Sequence, residues 1–173
     1  ANGAAVLSFL KRDQRMVQVS NTMLINATHI HRDVTRRDGD MLVTLDFEAR
    51  FLRRKRLVTD CGNGFMVDLA ETVSLDAGDA FVLEDGRQII IQAKSEAVVE
   101  IRHEAIAKIA WHIGNRHTPC EIRPNHLIIR CDHVLEDLLI RLGANLVKVM
   151  APFNPEGGAY GIGRTHGHDH NHS

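Results

Sequence analysis

Apolar and polar positions alternate in short runs through the first half of the chain, then switch to steps of three and four in the second half. From Met23 onward the runs are rich in β-branched and aliphatic residues: Leu42-Val43-Thr44-Leu45-Asp46-Phe47, Arg56-Leu57-Val58-Thr59, Phe65-Met66-Val67-Asp68-Leu69, Asp79-Ala80-Phe81-Val82-Leu83 and Gln88-Ile89-Ile90-Ile91-Gln92-Ala93. Turn residues separate them at Arg37-Asp38-Gly39-Asp40, Cys61-Gly62-Asn63-Gly64, Asp76-Ala77-Gly78-Asp79 and Glu84-Asp85-Gly86-Arg87. Asn-Gly and Asp-Gly supply the positive φ of tight hairpins, so the pattern predicts an antiparallel β sandwich or small barrel ending near residue 93. Residues 1–20 keep no period and read as a loosely attached lead-in with room for one short strand.

After Lys94-Ser95-Glu96 a second domain begins. Ala97 to Ile101 reads as a strand. Ile106, Ile109, Ala110 and Ile113 then form the stripe of an amphipathic helix starting near His103-Glu104 and breaking at Gly114-Asn115. Thr118 to Arg123 and Leu127 to Cys131 read as strands around a Pro124-Asn125 turn. Asp132 is placed to cap a helix carrying Val134, Leu135, Leu138, Leu139 and Leu142 that stops at Gly143, and Asn145 to Met150 is a last strand. The order βαββαβ predicts a ferredoxin-like domain over residues 94–155, making the chain α+β: an all-β domain over 1–93, this second domain, and a Gly-rich linker with a histidine tail over 156–173.

Composition narrows the function classes. With 173 residues and 44% hydrophobic content a packed core is expected. Lys and Arg number 21 against 22 acidic residues, so the net charge of -1 offers no global field toward nucleic acid or an anionic membrane. The apolar run at 4–10 is too short to span a bilayer, and Lys11-Arg12 follows it, the wrong order for a secretory signal, so a cytoplasmic protein is expected. Cys61, Cys120 and Cys131 lack C-x-x-C spacing, which suggests neither a disulfide framework nor a zinc ribbon; Cys61 and Cys120 read as small buried thiols. The basic run Arg50-Phe51-Leu52-Arg53-Arg54-Lys55-Arg56 reads as a solvated face, with an acidic partner protein as the next reading.

No nucleotide-binding, zinc-protease or nucleophile-elbow signature is present, and the second domain lacks the stacking aromatics of an RNA-binding sheet. Histidine carries the chemistry. His112, His117, His133, His166, His168, His170 and His172 make seven of the eleven, gathered in three places. His112 and His117 are five apart, about 140° on an unbroken helix, and cannot chelate together. The break at Gly114-Asn115 points instead to two copies of His117 meeting across a two-fold axis, each subunit giving one imidazole; the ordinary alternative is a histidine capping the helix end. Cys131 and His133 face one way if a strand runs through Asp132 and diverge if Asp132 caps a helix; thiolate and imidazole both suit late divalent metals, and their place between Ile129 and Val134 predicts partial burial. The tail alternates its four imidazoles with Gly, Asp and Asn, unlike the unbroken run of a purification tag, and wraps a metal with little strain at an entropic cost that keeps binding reversible. Imidazole coordinates when neutral, so binding should weaken below about pH 6.5. Imidazole-rich sites accept nickel, copper and zinc alike.

Trp-His-Ile-Gly-Asn-Arg-His at 111–117, Cys-Asp-His-Val-Leu-Glu-Asp at 131–137, Pro-Phe-Asn-Pro-Glu-Gly-Gly-Ala-Tyr at 152–160 and the histidine tail resemble, in order and spacing, the UreE family of urease accessory proteins, from about Arg54 to the end. The resemblance implies a nickel metallochaperone, not an enzyme: a homodimer through its second domain, with Ni²⁺ at His117 and auxiliary sites at His112 and His133, and with Zn²⁺ or Cu²⁺ able to substitute. Cys131 stands where some relatives carry histidine. Implied partners are the urease GTPase accessory protein and the urease apoprotein complex, and dimers can pair further through a shared metal. Two other classes stay open: a metal-dependent hydrolase using Cys131 and His133 with Glu136 or Asp137 as base, and an adaptor binding a partner through residues 50–56.

Overall fold

The computed structural model describes residues 24–157; the lead-in and the histidine tail lie outside the described residues. Six strands, β1 (Ile25–His31), β2 (Met41–Leu45), β3 (Phe51–Val58), β4 (Gly64–Ser74), β5 (Ala80–Leu83) and β6 (Gln88–Ala93), form one sheet in the order β2-β6-β5-β1-β4-β3. Gly39, Gly62, Gly78 and Gly86 take positive φ in the four turns where the sequence places them, a backbone that costs glycine nothing.

Pairing departs from the antiparallel sandwich. β1 runs parallel to β4 and β2 parallel to β6, and a single curled sheet replaces two facing ones. The two end strands approach each other where Asp60 follows β3: its amide donates to Leu42 O at 2.8 Å, and its carboxylate accepts from the Thr44 amide at 3.0 Å and from the Thr44 hydroxyl at 2.8 Å. Curling lets alternate residues of several strands share one interior, and Ala27, Val43, Leu57, Phe65, Val67, Phe81, Ile89 and Ile91 are buried together there.

The second domain keeps the order expected of it. β7 (Ser95–Arg102), α1 (Ile106–Gly114), β8 (Glu121–Arg123), β9 (His126–Arg130), α2 (His133–Arg141) and β10 (Asn145–Pro152) give a four-stranded sheet, β10-β7-β9-β8, antiparallel throughout. Strand alternation divides its residues between two layers. Val99, Ile101, Leu127 and Ile129 meet Ile109 and Ile113 of α1 and Leu135 and Leu139 of α2, and each such side chain withdrawn from water contributes about 2 kcal/mol. α1 begins later than the sequence suggests, because the His103 ring sits outside it and accepts from the Ala105 amide at 2.9 Å. β8 likewise begins three residues after Thr118. α2 opens on Asp132, whose carboxylate accepts from the Val134 and Leu135 amides, and closes on Gly143 at φ +87°, where Gly143 and Ala144 donate back to Ile140 and Leu139.

The opposite layer, Val98 and Ile128, is covered by Phe47 and Phe153, whose rings meet edge-on at 5.2 Å. This seam joins the two sheets around Arg50, only 1% exposed. Its guanidinium donates to Phe153 O, to Asn154 Oδ1 at 2.9 Å and to Leu75 O at 3.4 Å, while Asn154 Oδ1 also accepts from the Ala77 amide at 3.2 Å. Arg50 therefore belongs to the interior, and the solvated face predicted for the whole basic run is confined to Arg53, Arg54, Lys55 and Arg56, all exposed on β3.

Candidate metal centre

α1 delivers the first candidate ligands. Its buried stripe, Ile109 and Ile113, fixes the helix against the sheet and turns Trp111 outward, 63% exposed, with the half-buried His112 ring edge-on to the indole at 5.1 Å. Past Gly114 the hydrogen bonds tighten: Arg116 donates to Ile113 O at 3.1 Å and His117 to Gly114 O at 2.9 Å. His117 then takes φ +55°, left-handed for a residue with a β-carbon, and its side chain stands exposed. The strained residue is the histidine, while Gly114 keeps an ordinary φ. Strain of this kind persists where the surroundings over-determine it and clusters at functional positions.

Asp132 decides the geometry of the second candidate pair. Because it caps α2 from an extended backbone, the strand ends before it, and Cys131 and His133 take the diverging alternative. Both are exposed, which corrects the partial burial expected of them: β9 ends at Arg130, and the chain crosses open surface before α2 turns inward at Leu135. Glu136 is occupied structurally, accepting from the Asp132 amide at 3.1 Å and pairing with Lys148 at 2.9 Å. That carboxylate raises the Lys148 pKa, through its hydrogen bond first and its charge second.

Two further thiols differ sharply. Cys120 is partly buried, and burial pushes its pKa up to about 11. Cys61, expected to be buried, is exposed in the β3–β4 turn, and the Thr59 hydroxyl at 3.2 Å leads the contacts that lower its pKa.

Among the described residues no three His, Cys, Asp or Glu side chains converge as a metal site. His117, His112, Cys131 and His133 belong to no such group within one copy, and His166, His168, His170 and His172 lie outside the described residues. The chain does return toward His117 before the tail begins. Asn154 donates to Glu121 Oε2 at 2.7 Å and Glu156 to Cys120 O at 2.9 Å, so the root of the tail is tied to residues just beyond His117. Sequence reasoning missed Glu121 and Asn154 in this role; the signal available was an Asn between two prolines, Pro152 and Pro155, where a chain must hold a fixed bend. No helix among the described residues is long and apolar enough to cross a membrane.

Comparison with known proteins adds the family. The model of the UreE urease accessory protein N-terminal domain matches residues 24–94, and that of its C-terminal domain matches residues 96–173. The chain is similar to urease accessory protein UreE of Ruegeria pomeroyi, 54% identical over 133 residues, covering 77% of this chain and 89% of the relative. It is likewise similar to UreE of Rhodobacter capsulatus, 56% identical over 74% of this chain and 81% of that protein. UreE of Cereibacter sphaeroides is 59% identical over 74% of this chain and 70% of its own length.

Proposed function

Because the chain belongs to the UreE family of urease accessory proteins, with a role in urease maturation, we propose that it is a nickel metallochaperone working as a homodimer. Ni²⁺ is its cargo, held between two copies of His117, with His166, His168, His170 and His172 completing the shell and His112, Cys131 and His133 as auxiliary ligands. Zn²⁺ and Cu²⁺ compete for the same imidazoles. The ion then passes by ligand exchange to the GTP-binding accessory partner and the urease apoprotein complex, and no covalent bond of a substrate is broken. Its second domain is read as ferredoxin-like, supported by the βαββαβ order and the strand order β10-β7-β9-β8.

The observation that carries this reading is the exposed, left-handed His117 at the end of α1, the helix that also exposes Trp111. One imidazole on a helix end is a poor site alone and a good half-site for a symmetric pair, and the exposed indole of the same helix supplies apolar area for such a contact. The test is Ni²⁺ titration with mass measurement on the full chain, on His117→Ala and on a truncation after Gly163. His117→Ala is expected to lose the tightest site, and the truncation to lower stoichiometry while keeping that site; unchanged tight binding in His117→Ala removes this histidine from the centre.

The hydrolase reading loses one of its two candidate bases, Glu136, which is committed to the Asp132 amide and Lys148, and keeps only the exposed Asp137. Partner docking through the basic run gains a specific observation: Arg53, Arg54, Lys55 and Arg56 are exposed side by side on β3, an end strand of its sheet, where charge suits an acidic partner surface. Reversing Lys55 and Arg56 to Glu should slow association with the maturation partners and flatten its salt dependence, with nickel binding unchanged.

A further inference from the structure

Away from α1 and the tail, β1 carries a second arrangement of imidazoles. Ile30 packs against the core of the first sheet, and His29 and His31 flank it, both exposed. Residues two apart on a strand share a face, with α-carbons about 6.6 Å from each other, close enough for both rings to reach one ion. Each ring is oriented through Nδ1: the Thr28 hydroxyl lies 2.8 Å from His29 Nδ1, and the Gln88 side-chain amide lies 2.8 Å from His31 Nδ1. Among the described residues no hydrogen bond reaches either Nε2. With the ring protons on Nδ1, the Thr28 oxygen and the Gln88 amide, turned to present its oxygen, accept them, and both Nε2 atoms offer lone pairs. A ligand histidine whose second nitrogen is held by a neighbour is the usual arrangement around a bound metal. The neighbouring cation does not oppose it, since Arg32 is drawn to Asp79 at 2.6 Å and to Ser74 O at 2.9 Å.

We propose that His29 and His31 form a bidentate site for a late divalent transition metal on the first domain, with water filling the remaining positions. Two neutral imidazoles without a carboxylate make an open, weaker site than one shared between subunits, suited to an ion in transit. The site stands apart from His117, so either can fail without the other.

The experiment uses the full chain with His112, His117, Cys131, His133, His166, His168, His170 and His172 all changed to Ala, titrated with Ni²⁺ and followed by amide NMR, where the paramagnetic ion broadens nearby signals. Broadening is expected to centre on residues 28–32, 81–83 and 88. His29→Ala or His31→Ala should each weaken it at least tenfold, and Gln88→Leu by a smaller factor. Since both histidines are exposed, the unfolding midpoint of each variant should stay within experimental scatter. Broadening that centres elsewhere, or that survives His29→Ala and His31→Ala unchanged, overturns the proposal.

Discussion

At the scale of single residues, His117 pays a backbone cost for its position. Left-handed geometry costs a residue with a β-carbon about 1 kcal/mol relative to glycine. His117→Gly should therefore raise the urea midpoint of the apo protein while weakening its tightest nickel site, and a variant that gains neither stability nor loses metal would show the φ of +55° to be incidental. Cys120 gives a pH prediction. Its thiol is held protonated by burial, with a pKa raised from 9.0 to about 11. Stability linked to it is fully present below the unfolded value and is lost as pH climbs from about 9 to about 11, on the order of 2 kcal/mol. Cys120→Ala should flatten that part of the stability curve, and in the native protein iodoacetamide should label Cys61 before Cys120. Residue chemistry was legible where it depends on neighbours in sequence. His117 announced itself by following a helix break, and Asp132 by preceding an apolar stripe. The exposure of Cys61 follows from its place in the Cys61-Gly62-Asn63-Gly64 turn, a local signal outweighed by the usual burial of free thiols, whereas the burial of Arg50 depends on Phe153 and Asn154 far along the chain, and no local pattern encodes it.

Elements obey short-range rules better than pairing does. The four glycine turns, the α1 stripe and the α2 boundaries follow from φ preferences and 3.6-residue periodicity. Asp132→Ala removes two hydrogen bonds from the first turn of α2 and should cost about 1 kcal/mol, read as a lower unfolding midpoint with the metal sites otherwise intact. Parallel pairing of β1 with β4 and of β2 with β6 was not legible. Alternating hydrophobicity says which face of a strand is inward and nothing about which distant strand lies beside it, and the Asp60 contacts that curl the sheet join Thr44 to a residue 16 positions away. β3 illustrates the same limit. Its register with β4 shifts between Leu52 and Arg54, with the extra residues on β4, and four consecutive basic residues of β3 are exposed where strict alternation would have turned two of them inward.

For the whole molecule, Arg50 is the side chain with most at stake. Replacing it by Ala leaves Phe153 O without its guanidinium donor and Asn154 Oδ1 with only the Ala77 amide in a buried seam, and about 3 kcal/mol of stability should go with it. Arg54→Ala, on the exposed surface of β3, should leave the midpoint where it was. Urea unfolding of the two variants side by side checks both. The βαββαβ order was readable from sequence because each of its steps is local; the seam was not, because residue 50 meets residues 153 and 154 only once both sheets exist.

That seam also imposes a timetable. Arg50 leaves the ribosome roughly a hundred residues ahead of Phe153, so the first sheet has to wait with a charged, half-sheltered guanidinium until the last strand arrives. A gene fragment ending at residue 94 freezes the chain at that waiting stage, and whatever such a fragment does in solution reports on the nascent first half more than on the finished protein.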